Sequence, residues 1–325
     1  GSGSVTPKEV YVQAGDLITG IGSAQIKNFY LTGFSTDTPK YRGNAIVQNL
    51  NTSVITKSDA VGLISGNFNF VGQSFDVNKM IIDTKSDISS IEIAGKTIKN
   101  AHLDGNLNHK KYNGLITVND PQMQGKVNGL IDFSTSKLRA DIKADITKLN
   151  LSYFTGGAQS QIVSGQIDGK FSMTNINDLT VDANFSNLLL LANQQKIDIP
   201  NAYLKSHMEG NERVIDINAP GAAIGTIKGK YNLGNLVGMV QNGLNKILVG
   251  PEPRKLYKGE NFDMDFNVSQ GLISYFIPEL RIPNGAHVDG SYDGNTNNLI
   301  LNADVEKLIS IMNKKKDYTE AAKAI

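Results

Sequence analysis

The chain has 325 residues, 32 Lys+Arg against 31 Asp+Glu, 40% hydrophobic and 19% charged residues, 32 glycines, and neither cysteine nor tryptophan. Without cysteine there is no disulfide framework, thiolate nucleophile, iron–sulfur cluster or Cys-containing zinc site. A formal net charge of +1 leaves no field to gather nucleic acid or an anionic membrane, and no stretch approaches the roughly 20 apolar residues of a membrane helix.

Three segments follow in order. Residues 1–98 read as an N-terminal β-rich module; the Gly20-Ile21-Gly22 in it lacks the third glycine and the βα unit of a dinucleotide site. Residues 99–250 read as a central β-repeat module. Val127, Ile131 and Phe133 share one phase there, and Leu138, Ala140, Ile142, Ala144 and Ile146 alternate with Arg139, Asp141, Lys143, Asp145 and Thr147. Leu179, Val181, Ala183 and Phe185 repeat the pattern, Leu188–Ala192 is an aliphatic run of buried-strand length, and Ile215, Ile217 and Ala219 alternate again. The module closes on a helical stripe of Leu236, Val240, Leu244, Ile247 and Leu248, stopped by Gly250-Pro251.

Residues 251–325 read as a further β-repeat. Phe262, Met264, Phe266 and Val268 alternate with Asp263, Asp265, Asn267 and Ser269, and Leu299, Leu301, Ala303 and Val305 follow. A second helical stripe, Val305, Leu308, Ile309 and Met312, leads into Lys314–Lys316, where a helix C-terminus favours cations. A period of two in so many segments means half-buried strands with one wet face. This argues against a doubly wound fold, whose parallel strands read as unbroken apolar runs. Asp104-Gly105-Asn106, Glu209–Glu212 and Asp293–Asn298 carry hairpin-turn chemistry. The fold expected is all-β and mostly antiparallel, with two short amphipathic helices.

The chain also repeats itself. Ile199–Ala219 matches Ile282–Ala303 with one added residue, and Lys99–Val118 shares Ala-His-[Leu/Val]-Asp-Gly with Ala286–Gly290. Recurrence of a strand-rich module argues for an elongated, repetitive architecture.

Little in the sequence supports catalysis. His102 and His287 occupy one repeat position and point to the wet side in strand phase; none of His102, His109, His207 and His287 has a ligand partner at local spacing. Asp293, Asn295 and Asn297 open like a calcium loop, but Asn298 and Asp304 stand where such a loop needs glycine and glutamate. Asp263 and Asp265 lie on a solvent face, without the contrasting surroundings that split an acid from a base. No metal, cofactor or catalytic residue is expected, and the chain is read as a non-enzyme. The apolar face, rich in Ile, Val, Leu, Ala, Met and Phe and read as free of polar handles, suits either a closed sandwich core or an open groove.

Tyr112–Ser134, LRADIKADITKLNLSYF (Leu138–Phe154), Gly165–Ser172, Ile197–Ser206, Gly225–Val240 and Leu280–Gly294 in this order resemble the TamB branch of the AsmA-like proteins, in particular TamB proteins of Bacteroidetes. The likeness runs from about Ile91 to Val305, so the chain reads as a middle segment of a longer, inner-membrane-anchored protein. The resemblance implies a U-shaped sheet, the β-taco, whose hydrophobic groove carries phospholipid between inner and outer membranes across the periplasm. It also implies a link to outer-membrane protein assembly with a BamA-like barrel, TamA, through regions outside this chain. The residues expected to line the groove are Phe133, Ile142, Ile146, Val181, Phe185, Phe262, Phe266 and Leu301. The other readings are a β-strand-binding assembly factor or chaperone, and a purely structural spacer.

Overall fold

A computed structural model describes residues 1–56, 61–93, 95–155, 161–192, 195–247, 256–276, 280–282, 284–304 and 309–310. The chain divides into two compact units, Gly1–Leu190 and Leu191–Ile325. Both are built from antiparallel strands, as the period of two predicts.

The first unit is a meander of β1 (Ser2–Val5), β2 (Glu9–Thr19), β3 (Gly22–Thr32), β4 (Lys40–Asn51), β5 (Val61–Gln73), β6 (Ile81–Ile93), β7 (Lys96–Asn108), β8 (Lys111–Asn119), β9 (Met123–Asp132), β10 (Leu138–Asn150) and β11 (Gln161–Met173). Each strand pairs antiparallel with the next. β12 (Thr180–Ala192), containing the aliphatic run, lies beside β11. Short helices α1 (Ser53–Thr56) and α2 (Leu151–Thr155) follow β4 and β10. The same chemistry starts both. Asn51 Oδ1 accepts from the Ser53 amide and hydroxyl, and Asn150 Oδ1 accepts from the Ser152 hydroxyl.

The second unit contains β13 (Gln195–Glu209), β14 (Glu212–Ala219), β15 (Ala223–Lys230), α3 (Leu236–Ile247), β16 (Asn261–Val268), α4 (Gln270–Phe276), β17 (Leu280–Arg281), β18 (Ala286–Asp293), β19 (Asn298–Asp304) and β20 (Ile309–Ser310). β13 to β16 pair in order, then β16 with β18 and β18 with β19, all antiparallel; β17 and β20 form a separate pair. α4 follows β16 as α2 follows β10 and α1 follows β4, once every six strands. The three related sequence stretches are the hairpin β7–β8, the hairpin β13–β14, and the strands β18–β19 with the residues leading into them.

Two turn assignments hold and one does not. Gly210 at φ 62 turns β13 into β14, and Gly294–Asn297 joins β18 to β19. Asp104-Gly105-Asn106, expected to be a turn, lies within β7. The reversal comes at His109 and Lys110, both at positive φ, the backbone of a type I′ hairpin. Gly105 instead packs against Gly114, where a Cβ would come 2.8 Å from the neighbouring Cα. The first helical stripe forms α3, although Leu248, Gly250 and Pro251 lie outside the described residues. Of the second stripe, Val305, Leu308 and Met312 lie outside them too, and Ile309–Ser310 is extended.

Two of the bulges centre on asparagine. Asn28 and Asn49 sit at positive φ where the registers of β3–β4 and β4–β5 shift, whereas Asn100 takes positive φ in β7 with its register to β6 unbroken. Asparagine enters this region more readily than other non-glycine residues, and each bulge bends its strand and increases local twist.

Candidate functional site: the apolar sheet face

Alternation places Ile142 and Ile146 on the apolar face of β10, opposite Asp141, Lys143 and Asp145. Registers on both sides fix their neighbours. Ile142 stands between Gly129 of β9 and Gly169 of β11, and Ile146 between Gly125 and Gly165. Gly129 cannot be replaced without strain, because its φ is 147 and a Cβ would come 2.2 Å from the Asp141 carbonyl oxygen. The same row continues through Gly114 and Gly105 to Thr84 of β6. Across five strands, β7 to β11, Ile142 is therefore the one residue of this row with a side chain.

Rows of mostly large apolar side chains, each with one alanine, flank this furrow. On one side lie Leu103, Ile116, Val127, Ala144 and Ile167; on the other Leu107, Tyr112, Ile131, Ala140 and Phe171. Tyr112 leans along β8 over the glycines, its hydroxyl donating to the Leu115 carbonyl at 3.2 Å. Burial, reinforced by the nearby Asp104 carboxylate, raises its phenol pKa. Leu103, Ile116, Val127, Ile142 and Ile167 remain only half-buried. One end of the face is closed: Tyr153 and Phe154 of α2 pack on a cluster of Ile88, Ile98, Ala101 and Val118, and the Tyr153 hydroxyl donates to the Thr97 carbonyl.

Val181 is buried and Phe185 half-buried, on the β12 face shared with Ala183, whose Cβ occupies the space over Gly169. Ile146 is buried near the closed end. Phe133 lies just past the end of β9, half-buried, its amide bonded to the Lys110 carbonyl.

The second unit treats its apolar face differently. Met208, Arg213, Gly229, Phe262, Tyr292 and Leu299 form one row across β13–β19. α3 lies against it. Met239 of α3 is 0% exposed, Phe262 is 1% exposed, and both belong to a cluster with Ile215, Tyr231, Tyr257, Tyr292 and Leu299. Gly243 permits this approach, since a Cβ there would meet Leu299 Cβ at 2.3 Å. Phe262 stacks on Tyr292 at 5.4 Å. Burial pushes the phenols of Tyr231 and Tyr292 up to about 12, with Arg213 opposing the rise at Tyr231. Phe262 is thus core packing beneath a helix. Leu301 is partly buried against the same cluster and reaches over Gly290, while Phe266 is half-buried over Gly225.

The expected absence of polar handles fails at several points. Arg213 is 1% exposed and its guanidinium donates to Ser206 Oγ at 2.8 Å, also on the apolar face. Ser86, also buried there, shares a hydrogen bond with Thr84. Alternation does carry this signal, because Arg213 is in phase with Ile215 and Ile217; only the expectation that arginine faces water hid it.

His102 and His287 lie on the polar face as expected, but each meets a cross-strand carboxylate, Asp87 at 2.7 Å and Asp265 at 3.8 Å. Pairing across strands is invisible to local spacing. Among the described residues no three His, Asp or Glu side chains come together to hold a metal. Asp293 acts as turn chemistry, accepting from the Asn295 amide and the Thr296 hydroxyl, which lowers its pKa. Comparison with known protein families, curated proteins and solved structures finds no match to this chain.

Proposed function

We propose that the chain is a non-catalytic segment of a bridge-like lipid transfer protein of the cell envelope. In this reading the apolar face of the first unit conducts phospholipid acyl chains between inner and outer membranes across the periplasm. The observation that carries it is the half-buried aliphatic set Leu103, Ile116, Val127, Ile142 and Ile167 along the glycine row. A phospholipid leaving a bilayer exposes its chains at about 0.8 kcal/mol per CH₂, on the order of 20 kcal/mol for two ordinary chains. A face of Leu, Ile and Val side chains replaces much of that lost contact. Tyr112 covers Gly105 and Gly114 and Ala183 covers Gly169, so the surface offered to a methylene chain is that of the half-buried side chains around Ile142, where few hydrogen-bonding groups hold it in one place. A BamA-like barrel partner, as the resemblance implies, would dock through regions outside this chain.

The test is organic-solvent extraction of the purified chain followed by mass spectrometry, beside Ile142→Asp and Phe266→Asp. Aspartate at 142 stands between two glycines, so it adds charge without crowding. The proposal expects phospholipid with the parent chain and several-fold less with Ile142→Asp at unchanged circular dichroism. Lipid-free, folded parent protein would reject it and favour the spacer or strand-binding reading.

A further inference from the structure

The opposite face of the first unit holds a feature that lipid conduction does not use. Two recesses of about 710 and 540 Å³ open on the polar side of β2–β8 and share Arg42, Val71 and Asp83 as lining. We propose that this shared trough binds an extended, uncharged glycan lying across the strands.

Charge is the first ground. In the larger recess Arg42 and Lys85 are matched by Asp83 and Asp104, and the smaller adds one further pair, Lys40 and Glu9. A balanced surface gives no preference to polyanions such as nucleic acid. The second ground is its hydrogen-bonding inventory. Asn44, Asn69, Asn106 and Asn113 line the trough, and each amide offers donors and acceptors together, the set that hydroxyls require. Several are held in place: Asn69 donates to the Lys85 carbonyl at 3.0 Å, Asn106 to Asp83 at 2.9 Å, and Lys85 pairs with Asp104 at 3.0 Å. Such positioning reduces the ordering cost of binding.

An apolar platform at one end is the third ground. Arg42 stacks 4.5 Å over the Tyr30 ring, Tyr30 lies 4.5 Å from Tyr11, and Val71 is 58% exposed between Arg42 and Asp83. Sugar rings present C–H faces that suit such a surface. The spacing agrees as well. Polar side chains recur across the sheet at the strand separation of about 4.8 Å, close to the advance of one pyranose ring along an extended glycan. A peptide strand is disfavoured, because β4 to β8 each pair on both sides and their backbone groups are already used.

The test is calorimetric titration of the folded chain with chitohexaose and cellohexaose, with hexagalacturonate as the charged control. Asn106→Ala and Tyr30→Ala probe the trough, and Asn128→Ala probes the same face outside it. Expected is saturable binding of an uncharged hexamer with Kd on the order of 0.1 mM, at least tenfold weaker in both trough variants and unchanged in Asn128→Ala. The inference is overturned by no saturable binding of either uncharged hexamer, by tighter binding of the charged one, or by equal loss in all three variants. Because the lipid face is not probed, failure here leaves lipid conduction untouched, and the reverse also holds.

Discussion

The two units turn the same strand grammar to opposite ends. In the first, the row Thr84, Gly105, Gly114, Gly129, Ile142 and Gly169 carries only two side chains, and Leu103, Ile116, Val127 and Ile167 beside it stay half-buried. In the second, the row Met208, Arg213, Gly229, Phe262, Tyr292 and Leu299 is filled with large side chains and lies against α3. Alternation decides which residues share a face. Side-chain volume along a row, together with an amphipathic helix of sufficient length, decides whether that face becomes a core or stays available.

The largest test of the contrast is truncation on each side. Phe262→Ala removes a fully buried ring from the cluster under α3 and is expected to cost about 4 kcal/mol. Ile142→Ala removes a half-buried side chain between glycines and is expected to cost about 1–2 kcal/mol. Hydrogen exchange under increasing denaturant assigns each loss to its unit. Equal costs would erase the distinction.

Filling the furrow comes next. Gly129→Val forces a β-branched residue to φ 147 and against the Asp141 carbonyl, which is expected to cost about 3 kcal/mol in the first unit. A stability change near zero would show that the row is not held by backbone contact. A smaller effect, about 1 kcal/mol, is expected from Asn51→Ala, which removes the acceptor for Ser53 at the start of α1; protection of the α1 amides reports it.

The smallest effect at neutral pH belongs to Tyr231→Phe, since the Tyr231 hydroxyl has no hydrogen-bond partner among the described residues. Its consequence appears in alkali. The folded pKa is raised to about 12 from 10.0, so this contribution to stability is present below about pH 10 and is lost as pH rises towards about 12. Tyr231→Phe should flatten the alkaline decline in denaturant midpoint; an unchanged decline would place that proton linkage elsewhere.

Much of this was legible in the sequence. The alternation of Leu138–Ile146 and Phe262–Val268 gives both the strands and their faces, and the turns at Gly210 and Gly294 were marked by glycine with asparagine. What was hidden depends on pairing. Asp104-Gly105-Asn106 has turn composition, yet Gly105 serves close packing with Gly114, and no local rule separates those two uses of glycine. The furrow needs the registers of β6 to β11 at once, and the His102–Asp87 contact needs that of β6 and β7. Whether Phe262 lines a groove or a core depends on where α3 lies, which amphipathicity alone does not give.

The most direct measurement is site-specific photocross-linking in cells, with a photoreactive phenylalanine analogue placed at Ile142 or at Phe262. The account predicts phospholipid adducts at 142 and few or none at 262, where Met239 and Tyr292 already fill the space. Adducts at 262 equal to those at 142, or none at 142 in folded protein, would contradict it.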